Sequence, residues 1–411
     1  MDRYLVINSD GHAGLPPERY RDYLDPQYRD EFDRQLEVRL AALAQASELL
    51  EMSQQSADWA KDKQHGLAGA WDSDRRTEVL DADGVAAEIL YVDGLTERNS
   101  PPFGGDLGLL PMGADPELQW AGCRAHNRWL TEFVSLDPVR RIGLALIPPF
   151  WDVDQSVKEI ESARKQGLSG IMLPHLWQNQ DPYHHPRFDP MWAACQDNDM
   201  IVHFHCGACP MQDYFGTELF GQQPGAEPPT HLPGGLGIFV TEIHFWLVRP
   251  IVFMIWGGVF ERFPGLKAVV SEGTSIWAPE LLALMDQRYS DHHFTAKLGN
   301  SYTAHIPLKP SEYFNRNVRI GSSCMARREA EMAHEIGVQN ILWGTDYPHP
   351  EGTWPFTKKL MIETFHGMPE GDIGAMLGDN AVDFYGLDVD KLNPIAERIG
   401  PERDWFRDEV A

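Results

Sequence analysis

Ile201-Val202-His203-Phe204-His205 is a short, β-branched, apolar run that closes on histidine. Runs of the same kind recur at Tyr4–Asn8, Ala87–Val92, Ile142–Ile147, Gly170–Leu173, Leu266–Ser271, Val318–Gly321 and Ile341–Gly344. Most are continuously apolar rather than alternating, the pattern of parallel strands covered on both faces. Helical periodicity falls between most of them, at Glu117–Phe133, Val153–Gln166, Met191–Asp197, Ile276–Tyr289 and Arg327–Ile336. Gly167 and Gly337 stand where helix C-caps belong. Eight strands alternating with helices predict an α/β chain folded as a (β/α)8 barrel. An open doubly wound sheet would favour a glycine-rich phosphate turn after the first strand, and Ser9-Asp10-Gly11-His12 is not one.

The 411 residues read as one barrel domain with additions. Residues 15–81, rich in Glu, Gln and Ala, are expected to be a helical insertion over one end of the barrel. Residues 210–263 are a second insertion after strand five, and the charged tail 393–411 is expected to wrap the surface. Thirty-five basic against sixty-one acidic residues give a net charge of −26, which disfavours nucleic acid and anionic membrane as partners. The longest apolar-rich piece, Ile251–Phe260, is short of a membrane span, and the N-terminus lacks the pattern of a secretory signal. Five cysteines in this length fit reduced thiols and a cytoplasmic protein.

In such a barrel, chemistry sits at the C-terminal ends of the strands. Strand one ends in Asp10-Gly11-His12, strand five in His203-Phe204-His205, strand six in Ser271-Glu272-Gly273, and strand eight in Thr345-Asp346-Tyr347-Pro348-His349. Side chains two apart on a strand face the same way, so Asp10 can converge with His12, and His203 with His205. Imidazoles and hard carboxylate oxygens around one axis are the donor set of a divalent metal. Each residue alone also has a structural reading: a turn for Asp10, a core histidine, a helix cap for Glu272 or Asp346. Their joint placement favours the metal.

These stretches, with Phe263-Pro264-Gly265-Leu266-Lys267 and Leu377-Gly378-Asp379-Asn380-Ala381, resemble the amidohydrolase superfamily, in the branch of aminocarboxymuconate-semialdehyde decarboxylase. The resemblance implies a metal held by His12, His205 and Asp346, with Asp10 as the strand-one partner. It also exposes two departures. The family often has His-x-His at strand one, where Asp10 stands here, and its decarboxylases carry a catalytic histidine after strand six, where Glu272 stands here. The extra carboxylates suggest two ions bridged by a carboxylate, with Asp346 and Glu272 as the catalytic pair and His292 or His203 as further ligands. This carboxylate-rich variant is similar to the branch that includes a non-haem diiron monooxygenase of diterpenoid biosynthesis.

The expected function is hydrolysis or lyase chemistry by metal-activated water on a small hydrophobic, possibly carboxylated molecule, with one or two ions of Fe, Zn or Mn. The alternative is hydroxylation of a hydrophobic natural product by two irons and O2. Trp246, Phe253, Trp256 and Phe260 suggest core packing, a homo-oligomer face or a substrate wall. Arg249 is a candidate for a substrate carboxylate, or an ordinary surface arginine. Cys206-Gly207-Ala208-Cys209 is a weak redox motif, and no Gly-x-Ser-x-Gly elbow marks a serine hydrolase.

Overall fold

The computed structural model describes residues 2–49, 61, 63–93, 99–105, 115–175, 180–207, 214, 233–291, 297 and 302–407, leaving aside the side chains of 39 and 41–49. The eight expected strands form. They are β1 (Ile7–Ala13), β2 (Ala87–Val92), β3 (Arg141–Leu146), β4 (Gly170–Met172), β5 (Ile201–His205), β6 (Ala268–Ser271), β7 (Val318–Ser323) and β8 (Ile341–Gly344). They lie in sequence order and pair in parallel. Closure between β8 and β1 is made by a Gly11–Tyr347 bridge and by His12 N–H and Asp346 N–H, which donate to Tyr347 O and Asp10 O. The result is the expected (β/α)8 barrel.

Two apolar layers hold it. Ile7, Ile89, Ile142, Leu144, Leu146, Met172, Ile201, Val269 and Leu342 form one cluster, in which residues two apart on a strand share the barrel interior. Ala381, Phe384, Leu392 and Ala396 plug the same cluster from the helices Asn380–Tyr385 and Val389–Ile399. The C-terminal segment is therefore less of a surface wrap than expected. Ala396 and Ile399 are buried, and Phe406 meets the Tyr4 ring edge-on at 5.4 Å. The second layer lies between the strands and the surrounding helices, around Leu130, Phe133, Ile160, Trp192, Phe204 and Val270.

Three elements differ from their sequence reading. β1 begins later than Tyr4 and runs through Asp10 and His12. Its pairing steps from Asn8–Glu88 to Gly11–Leu90, so β1 carries one extra residue, a bulge that re-aims the side chains beside it. Ser73–Asp83, most of which falls within the expected insertion, is the helix leading into β2; Asp72 caps its N-terminus and Gly84, at φ 81°, its C-terminus. The helix expected over Arg327–Ile336 is broken at Met332 into Arg327–Glu331 and Ala333–Ile336.

The insertion after β5 holds the 22-residue helix Gly235–Trp256, which contains an 18-residue window of mean hydropathy 1.7 and so meets the length and composition of a membrane span, contrary to the sequence expectation. Leu247, Ile251, Met254 and Ile255 on it are buried against the barrel, while Leu236, Ile238, Val240 and Phe245 are exposed. Trp246 donates to the Tyr214 hydroxyl, Phe260 is core, and exposed Arg249 lies over the Phe253 ring.

Candidate metal centre

The side chains at the strand ends converge as the two-residue spacing requires. Asp10, His12, His205 and Glu272 place one donor atom each within 4.8 Å of one another, and His12, Glu272, Asp346 and His349 do the same. His12 Nε2 is 3.5 Å from Asp10 Oδ1 and 3.2 Å from Asp346 Oδ1. His205 Nε2 is 3.1 Å from Asp10 Oδ1 and 3.0 Å from Glu272 Oε2. All are buried except Glu272, which keeps one-fifth of its side chain exposed.

The backbone aims these groups. Asn8 Oδ1, beside the bulge, accepts from Asp10 N–H and from Thr345 N–H, tying β1 to the end of β8. Glu272 and Asp346 follow their strands at φ of 64° and 57°, left-handed conformations uncommon for non-glycine residues. His12 Nδ1 lies 2.7 Å from Val92 O and His205 Nδ1 3.0 Å from Cys206 O. A carbonyl accepts only, so each Nδ1 carries a proton, the tautomer of metal-ligating histidines; His12 Nε2 then turns its lone pair toward the cluster, while His205 Nε2, between the Asp10 and Glu272 oxygens, carries a proton that a metal ion would displace.

Electrostatics point the same way. Burial alone would raise the Asp10 pKa, but His205 and His12 outweigh it and hold the carboxyl down at about 2. Burial disfavours a charged His205, yet Asp10 and Glu272 draw its pKa well above the usual value. Burial, reinforced by His349, pushes His12 down to about 3. Burial raises Asp346 to about 7 against the pull of His349. Among the described residues, neither Asp346 oxygen accepts a hydrogen bond of proper geometry, although His349 Nδ1 and His12 Nε2 lie 2.9 and 3.2 Å from Oδ1; His12 Nε2 is likewise unsatisfied among them. Clustered carboxylates around two imidazoles in a buried site attract positive charge, and this oxygen-and-nitrogen donor set fits a divalent cation.

Of the residues singled out in the sequence, Asp10, His12, His205, Glu272 and Asp346 are brought together. His203 is not. It lies one layer deeper, with Nε2 2.9 Å from the Tyr385 hydroxyl and Nδ1 against the Ile171 and Ile201 carbonyls. His292 lies outside the described residues, as does Cys209. His349 was missed. It stacks on His12 at 3.9 Å and reaches Asp93, just past β2, at 3.4 Å through Nε2. Reading the end of β2 for carboxylate or histidine would have found Asp93, whereas His349 stood in the quoted end of strand eight without being singled out.

The model of the amidohydrolase family matches residues 106–387, more than half of the chain. A 2-amino-3-carboxymuconate-6-semialdehyde decarboxylase of Dictyostelium discoideum is 25% identical over 327 residues, 79% of each chain. The solved 5-carboxyvanillate decarboxylase of Sphingomonas paucimobilis shares the fold with a TM-score of 0.64 at 20% identity, over 94% of this chain and all of its own. A dihydroxybenzoic acid decarboxylase of Polaromonas sp. JS666, with bound manganese and 2-nitroresorcinol, shares it with a TM-score of 0.59 at 18% identity, over 94% and 98%. The barrel, its donor cluster and the family match agree: this chain belongs to the amidohydrolase family and is a metal-dependent enzyme of that superfamily.

Proposed function

We propose that the chain is a divalent-metal lyase that releases CO2 from a small carboxylated aromatic acid. Asp346 is the observation that carries this reading. Its carboxyl is buried among the ligand candidates, its oxygens accept no well-formed hydrogen bond from the described residues, and before a metal binds burial raises its pKa, so it is the carboxyl of the cluster best placed to carry a proton. The named activities of the relatives above, all decarboxylases, support the reaction and substrate class.

Asp10, His12, His205, Glu272 and Asp346 are the side chains that would hold the metal, with His349 beside them. Bound there, a divalent ion would bind anionic oxygens of the substrate and polarise it. Asp346 supplies the proton. As the bond between ring carbon and carboxylate breaks, CO2 leaves and the electron pair left on carbon takes the proton from the Asp346 carboxyl. His349 Nδ1, 2.9 Å from Asp346, is the imidazole placed to return that proton, and Asp93 lies 3.4 Å from its Nε2. Glu272 replaces the histidine of the decarboxylase branch as a ligand rather than as the acid.

A second reading is favoured by the size of the donor set. Six side chains fall into two groups sharing His12 and Glu272. His12 offers one lone pair and serves one ion, whereas the two oxygens of Glu272 can bridge a pair. Two irons so held suit hydroxylation of a hydrophobic, diterpenoid-like substrate with O2. The test is direct. Protein loaded with Mn(II) is offered hydroxybenzoates and other carboxylated phenols without O2, and CO2 is measured; protein loaded with Fe(II) is followed for O2 uptake. CO2 release from an aromatic acid supports the lyase. Substrate-dependent O2 uptake at two irons per chain, with no CO2 release, overturns it in favour of the oxygenase.

A further inference from the structure

Arg76 and Glu88 form an ion pair with no solvent exposure, from the helix Ser73–Asp83 to β2. Nε and one terminal nitrogen of the guanidinium donate to the two Glu88 oxygens at 2.8 and 2.6 Å. The other terminal nitrogen donates to the carbonyl of His12 at 2.6 Å. The guanidinium also lies 4.7 Å from the centre of the Tyr347 ring, and Tyr347 O accepts from His12 N–H at 2.8 Å. The backbone of His12 is thus held through its carbonyl by Arg76 and through its N–H by Tyr347, while Val92 O holds its ring. The packing leaves no slack. A Cβ on Gly11 would stand 2.8 Å from the Arg76 guanidinium and 3.0 Å from Glu88 Oε2.

A fully buried ion pair is poor value as a stabiliser, since apolar side chains of similar volume often serve as well or better. Its geometry is informative instead, because its spare donor goes to a residue present in both donor groups. We propose that Arg76 and Glu88 are positioning residues for the metal centre: together they set the height and rotation of His12, and through Tyr347 they register the strand-one ligands against the strand-eight ligands. The inference rests on the metal reading above, and it adds residues from outside the donor cluster.

The test uses full-length protein and Mn(II) alone, read as the free-ion signal in electron paramagnetic resonance, with circular dichroism to establish folding. The double variant Arg76→Met with Glu88→Leu removes both charges and leaves none buried unpaired. It should fold, yet bind Mn(II) about 10–100-fold more weakly, the loss typical when partners that orient a ligand are removed. Glu88→Gln, which keeps the shape, should weaken binding in the same direction, and it decides the matter if the double variant does not fold. A folded double variant, or failing that Glu88→Gln, with native Mn(II) affinity overturns the positioning role while leaving the metal centre standing. Native protein that binds no divalent ion overturns both.

Discussion

His12 stands on β1 and Asp346 just past β8, the two strands whose pairing closes the barrel, and both offer buried donor atoms left unsatisfied among the described residues. His12→Ala and Asp346→Ala should each strip the bound metal and abolish activity while the far-ultraviolet spectrum stays native. Metal analysis checks this, and full occupancy in both variants would remove the site assignment. A second residue prediction lies away from the site. Burial raises the Asp83 carboxyl to about 6, against the Thr357 hydrogen bond and Lys358, which lower it. The folded chain therefore holds this proton more tightly than the unfolded chain, where Asp titrates near 4. The stabilisation is complete below pH ~4 and is lost as pH rises through about 6, for a total of about 3 kcal/mol. Asp83→Asn should flatten that part of the stability profile, so denaturant titrations at pH 4 and pH 8 should differ less for the variant than for the native chain. An unchanged difference would contradict it. Five of the six clustered residues were legible in the sequence because His and carboxylate side chains at strand ends must face one axis. Periodicity gives a side chain's face but no depth, which is why His203 shares the face of His205 yet binds Tyr385 a layer below. His349 was hidden behind a Tyr-Pro turn, where spacing no longer predicts direction.

Among the elements, β1 is the most constrained. Its bulge sets Asp10 and His12, and Gly11 between them is closed in by Arg76, Asn8 and Glu88. Gly11→Ala should cost about 1–3 kcal/mol through overpacking and weaken metal binding, measured by denaturation and by metal titration. A variant with native stability would show the contacts to be soft. The insertion ahead of Ser73–Asp83 is tied to the ligand turn after β8. The Tyr347 hydroxyl donates to Gly66 O, and a Cβ on Gly66 would meet the Trp354 ring at 2.2 Å. A chain beginning near residue 73 should accordingly lose metal affinity, and a truncated protein that binds metal like the native chain would refute this. Composition predicted helix for this segment. It could not reveal that its last part is the crossover helix into β2, because the helical pattern carries no mark of which partner it will meet. The break at Met332 was equally hidden. Glu329 is drawn inward to accept from Ser275 and Ser322, a tertiary bond that local helical periodicity does not encode.

At the scale of the whole molecule, the barrel was legible because eight apolar runs separated by helical patterns leave few other ways to cover parallel strands on both faces. The plug formed by Phe384, Leu392 and Ala396 was not, since a charged, amphipathic tail reads the same whether its apolar stripe meets a barrel floor or a neighbouring helix. The central claim is that the mouth of this barrel is a catalytic metal centre. An anomalous difference map from crystals of the native protein grown with Mn(II) tests it most directly. The account predicts a peak within bonding distance of His12 Nε2, His205 Nε2 and an Asp346 oxygen. A map with no peak there, or with manganese bound only elsewhere on the chain, would contradict it.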